Sequence, residues 1–310
     1  MKKIFFILLF CICFNAHFNA HAGFRALPST YNELIDYIIP SPDQKKSGSC
    51  LYMASTGAVE IAVNKFYNLK NPEIDGPYDL AEVYALRGDL VVSSKSWYEN
   101  PTLVFNSGSV LSRDFPYNPE TFWNDYPPTN HLIDLPPIDT LTLFKSVGIQ
   151  EHSRLSFGVL NENHILQIKN YLVQYRSPLV VIYRDAGFEP QYGHWDTWHT
   201  VVIVGYDDNS TEPPLPATSF TSPLSEDESA DALRCPTVYR TFSGFGEEDA
   251  AKLRTVIKSG GGCREKGVFL IRDSEEPETP ENPRVPKYTS RSYDWLKYMG
   301  NHGFVVYVKK

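Results

Sequence analysis

The sequence Gln44-Lys-Lys-Ser-Gly-Ser-Cys50 runs directly into Leu51-Tyr-Met-Ala-Ser-Thr-Gly-Ala-Val-Glu-Ile-Ala-Val-Asn-Lys-Phe66. The first part is a polar loop, and the second carries apolar residues at helical spacing, so we predict a helix that begins at Cys50. The N–H groups and the dipole at such a helix end favour an anion, and a thiol placed there ionises more readily. Cys50 is therefore a candidate nucleophile, although a lone cysteine before a helix is more often a buried structural residue.

Two further features favour the nucleophile. Gln44 carries an amide that can donate a hydrogen bond to an oxyanion formed beside the backbone N–H of Cys50. Farther along, Trp198-His-Thr-Val-Val-Ile-Val-Gly-Tyr206 places a histidine at the head of a β-branched run, which predicts a buried strand. A cysteine at a helix start that faces a histidine on a strand is the arrangement that a thiolate–imidazolium pair needs.

Four segments, in this order, resemble those of the papain-like cysteine peptidases. Gln44 to Cys50 resembles the oxyanion and nucleophile segment, and His199 to Tyr206 resembles the histidine strand. Gly267 to Ser274 is similar to the strand that presents the family's orienting asparagine, and Asn301 to Lys310 to its last strand. The resemblance implies an α+β fold with a helical first lobe (about 23–135), a β-rich second lobe (about 136–310) and an active-site cleft between them.

The resemblance also implies the role of each site residue. Cys50 would attack a peptide carbonyl, His199 would move the proton, and Gln44 with the Cys50 N–H would stabilise the oxyanion. Asp273 would orient His199, with Asn301 as the alternative.

The sequence departs from the family at four positions: Asp273 stands where the family has an asparagine, Glu275 near its usual tryptophan, Leu51 follows the nucleophile, and Ser47 replaces a bridging cysteine. Asp273, Glu275 and Leu51 keep open the alternative of an inactive binding protein of the same fold. A thioester-forming amidase or transferase is a further alternative, because its triad would be the same.

A stretch with a glycine, Ser107-Gly108-Ser109, could be the rail that pairs with the backbone of an extended peptide substrate. An ordinary turn is an equal alternative. We expect no metal and no organic cofactor, since His194, Asp196 and His199 in one short stretch are weak support for a metal site.

Residues 1–22 contain two lysines, an apolar core and a small-residue end, which is the layout of a secretory signal peptide. A retained anchor is the alternative, although the apolar run is too short for a stable membrane span. We expect export to the periplasm or the exterior, and removal of the two lysines would take the net charge from −8 to −10. Such an acidic protein is not suited to nucleic acid or to an anionic membrane. The resemblance implies a peptide or protein substrate, and we expect a monomer.

The insertion between the histidine and Asp273 strands, about 207–266, contains two of the three cysteines that would remain after export. Cys235 and Cys263 could form a disulfide, which leaves Cys50 as the odd thiol. The insertion could gate substrate, or it could be a surface loop.

The local patterns also predict the flanking elements. We predict an amphipathic helix over 161–175, a strand from Leu179 to Tyr183, and a loop from Gly187 to Thr197. A second helix is predicted at Tyr78 to Leu86, packed against the Cys50 helix.

Overall fold

The computed structural model describes residues 26–45, 47–82, 84, 108–118, 132–145, 160–189, 193–211, 266–274 and 287–309. The helices among these residues are a short 3-10 helix, Ile35–Tyr37, and three α-helices: α1 (Cys50–Phe66), α2 (Glu162–Tyr175) and α3 (Tyr293–Met299). The strands are β1 (Thr30–Tyr31), β2 (Ile138–Lys145), β3 (Leu179–Glu189), β4 (Gly193–Asp207), β5 (Val268–Arg272), β6 (Thr289–Ser292) and β7 (Gly300–Val308).

The described strands form one antiparallel sheet in the order β2-β7-β3-β4-β5-β6, and β1 pairs with β4. The central strands are rich in valine and isoleucine, and their middle residues are buried. Such continuous apolar runs are typical of strands that are covered on both faces. The described chain is therefore a mixed fold of α-helices and antiparallel sheet, which confirms the α+β class.

Helix α1 begins at Cys50, which confirms the prediction, and it packs against β3, β4 and β7. Its sequence suggests one apolar stripe, yet every residue from Leu51 to Asn64 is buried. Other parts of the chain cover the side of α1 that carries its polar residues: the Oγ1 of Thr56 donates to the carbonyl oxygen of Glu82 at 3.1 Å. Buried on all sides, α1 is a fixed support for whatever stands at its first residue.

Helix α2 confirms the prediction over 161–175. Asn161 caps it by accepting from the N–H of Asn163 at 3.0 Å, while Nδ1 of His164 accepts from the N–H of Asn161 at 3.1 Å. The buried stripe is Ile165, Ile168 and Leu172.

The predicted loop from Gly187 to Thr197 is wrong over the described residues 187–189 and 193–197. These residues belong to strands β3 and β4, which pair antiparallel in register from Leu179 with Ile203 to Glu189 with Gly193. The pattern of glycine, histidine and aspartate favours a loop locally, but pairing between the two strands satisfies the backbone groups and overrides that preference.

The predicted helix at Tyr78 to Leu86 is also wrong over the described residues 78–82 and 84. Leu80 instead forms a β-bridge with Leu111, and the N–H of Ala81 donates to the carbonyl of Val110 at 2.9 Å. The N–H of Leu80 donates to the carboxylate of Glu60 at 2.8 Å. Because these backbone groups bond to neighbouring segments, they cannot form the i to i−4 bonds of a helix.

The insertion leaves and rejoins the sheet at one point. Asp207, the last residue of β4, pairs with Val268, and the N–H of Gly267 donates to the carbonyl of Ser210 at 2.8 Å. His199 lies eight residues before Asp207, so this neck is about 26 Å from His199 along the strand. Residues 212–265 lie outside the described residues, so gating by the insertion stays a prediction.

In the part of the chain that the structure describes, no helix is both long and apolar enough to cross a membrane.

Candidate active site

Cys50 is the first residue of α1 and is half-buried. Its Sγ lies 3.9 Å from the carbonyl oxygen of Trp198, the residue before His199. The packing of α1 against β4 thus brings together the two segments that carry the predicted nucleophile and base. Ser49 holds the N-cap position but makes no capping hydrogen bond with its side chain.

His199 and Asp273 are neighbours across two paired strands. Strand β5 pairs with β4 up to Arg272 opposite Val202, so Asp273 leaves the sheet at the His199 end of β4. Nε2 of His199 lies 2.8 Å from Oδ1 of Asp273, and the two residues are only 2% and 5% exposed. The same Oδ1 accepts from the N–H of Ser274 at 2.7 Å, which holds the carboxylate in place.

This contact determines how the imidazole is used. A carboxylate only accepts hydrogen bonds, so Nε2 of His199 carries the proton and donates it. Nδ1 is then the nitrogen that can exchange a proton with a reactant. An imidazole held in this way by a buried carboxylate has the tautomer and orientation that a general base requires.

Gln44 lies in the loop that precedes α1 and is buried. Two residues of this loop, Lys45 and Gly48, have positive φ, which turns the chain sharply back towards the helix. Ser274 fixes Gln44 twice: its carbonyl accepts from the Gln44 backbone N–H, and its hydroxyl donates to Oε1, both at 2.9 Å. The second bond identifies Oε1 as the acceptor end of the amide, so the NH₂ group is the end that donates.

No family model matches the chain, and no curated protein matches it. Among solved structures, it is similar to the bromelain protease from Ananas comosus in complex with the E64 inhibitor, at 12% identity and a TM-score of 0.46. That match covers 91% of this chain and all of the other. A second match is the digestive procathepsin L2 proteinase from Tenebrio molitor larval midgut, at 12% identity and a TM-score of 0.45, covering 93% of this chain and 70% of the other. These values are too low for the activity of either enzyme to be transferred to this chain.

Aromatic residues pack beside His199. The ring of Tyr183, opposite His199 on β3, meets the imidazole edge-on at 5.5 Å, and Trp295 of α3 meets Tyr183 at 4.8 Å. Sequence reasoning misses this pair, since it seeks a shielding tryptophan near Glu275, which lies outside the described residues. Because side chains alternate between the two faces of a strand, the sequence could have assigned Tyr183 to a face of β3. It could not have shown that Trp295, far along the chain, packs against it.

Beneath the site, Arg272 enters the interface between β5 and α1. Its guanidinium donates to the carbonyls of Ile39 at 2.9 Å and Met53 at 3.1 Å, and lies 3.4 Å from the carboxylate of Glu60. Gly57 faces this group, and an added Cβ there would overlap Nη1 of Arg272. The glycine therefore makes room in the helix for the buried cation.

Glu60 also belongs to a buried group of carboxylates with Asp79 and Glu82, whose oxygens lie within 4.8 Å of one another. Burial raises the pKa of Glu60 well above its usual range; Arg272 opposes this, and the charges of Glu82 and Asp79 add to it. Among the described residues, these three carboxylates are the group close enough to share a cation, and the guanidinium of Arg272 already lies against one of them.

The predicted substrate rail, Ser107 to Ser109, is described only in part. Gly108 has a positive φ of 73° and faces Leu132, while the carbonyl of Ser109 accepts from the N–H of Ile133 at 3.1 Å. Ser107 lies outside the described residues, so the substrate rail stays a prediction. The same holds for the Cys235–Cys263 disulfide and for the signal peptide at 1–22.

Proposed function

We propose that this chain is a cysteine peptidase of papain-like, two-lobed fold, exported through its N-terminal signal peptide and active as a monomer on peptide or protein substrates. The observation that carries the proposal is the buried pair of His199 and Asp273. His199 stands next to Trp198, whose carbonyl oxygen lies 3.9 Å from Sγ of Cys50. Export and oligomeric state rest on the sequence alone.

Each residue has a step in the proposed mechanism. Nδ1 of His199 takes the proton of Cys50, and the start of α1 stabilises the thiolate. The thiolate attacks the peptide carbonyl, and the oxyanion accepts hydrogen bonds from the Cys50 N–H and the Gln44 amide. His199 then returns the proton to the leaving amine, and water hydrolyses the thioester. Asp273 keeps Nε2 protonated and holds the ring throughout.

Labelling of the active cysteine tests this function directly. A peptidyl epoxide should modify Cys50 of the purified protein, and mass spectrometry of the digested protein locates the label. Cys50→Ala should lose both labelling and peptide hydrolysis, because no other group replaces the thiolate.

Cys50→Ser is the matched control for folding, since it replaces one atom and should keep the fold while losing the activity. Hydrolysis that persists in Cys50→Ala would exclude Cys50 as the nucleophile. A wild-type protein that is neither labelled nor active would point to the inactive binding protein. Labelling with acyl transfer but without peptide hydrolysis would point to an amidase or transferase.

A further inference from the structure

A chain of three hydroxyl groups holds the loop between Gln44 and Cys50. Oγ of Ser47 lies 2.7 Å from both Oγ of Ser49 and the hydroxyl of Tyr117, and Ser49 lies 3.3 Å from the same tyrosine oxygen. Tyr117 donates to the carbonyl of Gln44 at 2.9 Å. Tyr117 is half-buried and lies about 70 residues after the loop, so it links the loop to a distant segment of the chain.

The direction of the hydrogen bonds follows from the number of protons. Each hydroxyl has one proton to donate, and the carbonyl of Gln44 can only accept, so the proton of Tyr117 points to Gln44. The tyrosine oxygen then accepts from Ser47, and Ser47 accepts from Ser49. Burial raises the pKa of Tyr117, although its bonds with Ser47 and Ser49 oppose this, so the hydroxyl keeps its proton.

The side chain of Ser49 is a second sign that the loop is organised around Tyr117. A serine at the N-cap of a helix ordinarily accepts a hydrogen bond from the first turn. The side chain of Ser49 makes no such bond in α1, and its hydroxyl lies against Ser47 and Tyr117 instead. The loop is thus built around the tyrosine at the expense of the usual cap.

Both ends of the chain lie next to an oxyanion donor. At one end, the carbonyl of Gln44 accepts from Tyr117 and also from the N–H of Ser47 at 3.2 Å. At the other end, Ser49 immediately precedes Cys50, whose N–H is the second donor. The hydroxyl chain thus fixes the backbone on which each of the two donors is carried.

We infer that Tyr117 is a positioning residue for the oxyanion site, acting through the Ser47–Ser49 hydroxyl chain on Gln44 and on the N–H of Cys50. The inference rests on the proposed function and names a part of its machinery that the catalytic motifs do not contain.

Tyr117→Phe tests it, because the substitution removes only the hydroxyl. We expect kcat for a peptide substrate to fall about tenfold with KM within about twofold, a smaller loss than that from removing an oxyanion donor itself. Alkylation of Cys50 by iodoacetamide should keep its rate, because the thiolate displaces iodide at a saturated carbon and no oxyanion forms. Tyr37→Phe is the control: it removes a hydroxyl that donates to Asn68 at 2.9 Å, away from the loop.

A double-mutant cycle separates positioning from general destabilisation. In a Gln44→Ala background, Tyr117→Phe should cost clearly less than in the wild type, because one of the two donors it places is already gone. Ser47→Ala removes both 2.7 Å contacts of the chain and leaves only the 3.3 Å contact between Ser49 and Tyr117. It should lower kcat in the same direction, which keeps the test decisive if Tyr117→Phe does not fold. Ser47→Thr keeps a hydroxyl and should retain activity.

The outcomes separate the inference from the proposed function. Unchanged kcat in Tyr117→Phe and Ser47→Ala, in an enzyme that hydrolyses peptides, would overturn the inference alone. So would equal losses of alkylation and hydrolysis, which would place the effect on the nucleophile. A wild-type protein without hydrolysis would overturn the proposed function, and the inference with it.

Discussion

Arg272 and Asp273 are consecutive residues, yet each belongs to a different buried pair. Arg272 points into the α1 interface, 3.4 Å from Glu60, whereas Asp273 lies 2.8 Å from His199. Each pair joins a carboxyl group to a nitrogen-containing side chain, and all four residues are at most 5% exposed. One pair joins β5 to the helix that begins at Cys50, and the other joins β5 to the imidazole.

The two pairs differ in what they act on: Arg272–Glu60, the scaffold pair, holds the fold, whereas His199–Asp273 ends on the proposed base. A buried pair that touches only the interior affects the free energy of unfolding, because removal of one partner leaves the other uncompensated. A pair that ends on the imidazole of the proposed general base should instead affect the rate and its pH dependence. Because Arg272 and Asp273 are adjacent in the chain, the contacts of Arg272 with α1 also fix the position of Asp273 relative to that helix.

The largest expected effect comes from removing the cation of the scaffold pair. Arg272→Met should lower the free energy of unfolding by about 3–5 kcal/mol, since it leaves the buried carbonyls of Ile39 and Met53 without their donor, at about 1–3 kcal/mol each. Urea unfolding followed by circular dichroism measures this.

Arg176→Met is the matched control, because Arg176 pairs with Glu33 at the surface, where both side chains are about half exposed. It should cost about 1 kcal/mol or less. Equal losses in the two variants would show that Arg272 does not hold β5 on α1.

The second effect concerns the pair that ends on His199. Asp273→Asn keeps an oxygen that can accept from Nε2, so kcat/KM should stay within about tenfold of the wild type. The amide lacks the negative charge that favours the imidazolium, so the imidazolium loses its proton at lower pH. The alkaline limb of kcat/KM against pH should therefore move to lower pH.

The free energy of unfolding should change little in Asp273→Asn compared with Arg272→Met. An unmoved alkaline limb would mean that Asp273 is not the group that orients His199 during the reaction, and Asn301 would then be tested by the same profile.

The sequence predicts the parts of this comparison that have a local signature. A polar loop before an apolar helix marks Cys50, and a β-branched run marks the strand of His199. Glu60, Arg272, Ser274 and Tyr117 have no such signature, because their contacts join residues far apart in the chain. The paired residues 187–189 and 193–197, just before His199, have the local pattern of a loop for the same reason, since their pairing depends on the opposite strand.

The third prediction applies a carboxyl-to-amide substitution to Glu60 of the Arg272–Glu60 pair. Burial raises the folded-state pKa of Glu60 well above its ordinary value of 4.5, so the folded protein holds this proton more tightly than the unfolded chain. The contribution of Glu60 to stability is then fully present below about pH 4.5 and is lost as the pH rises towards the raised pKa. Glutamine mimics the protonated form and does not titrate.

Glu60→Gln should therefore match the wild type near pH 4.5 and become relatively more stable as the pH rises, by roughly 1 kcal/mol for each unit between the two pKa values. Urea unfolding of both proteins between pH 4.5 and pH 8 measures the difference, while kcat/KM at each pH should follow that of the wild type. A variant that instead loses about 3–5 kcal/mol at neutral pH would show that Glu60 is ionised against Arg272. The two carboxylates would then differ only in their partner and not in their charge, because Asp273 and Glu60 would both act as anions in the folded protein.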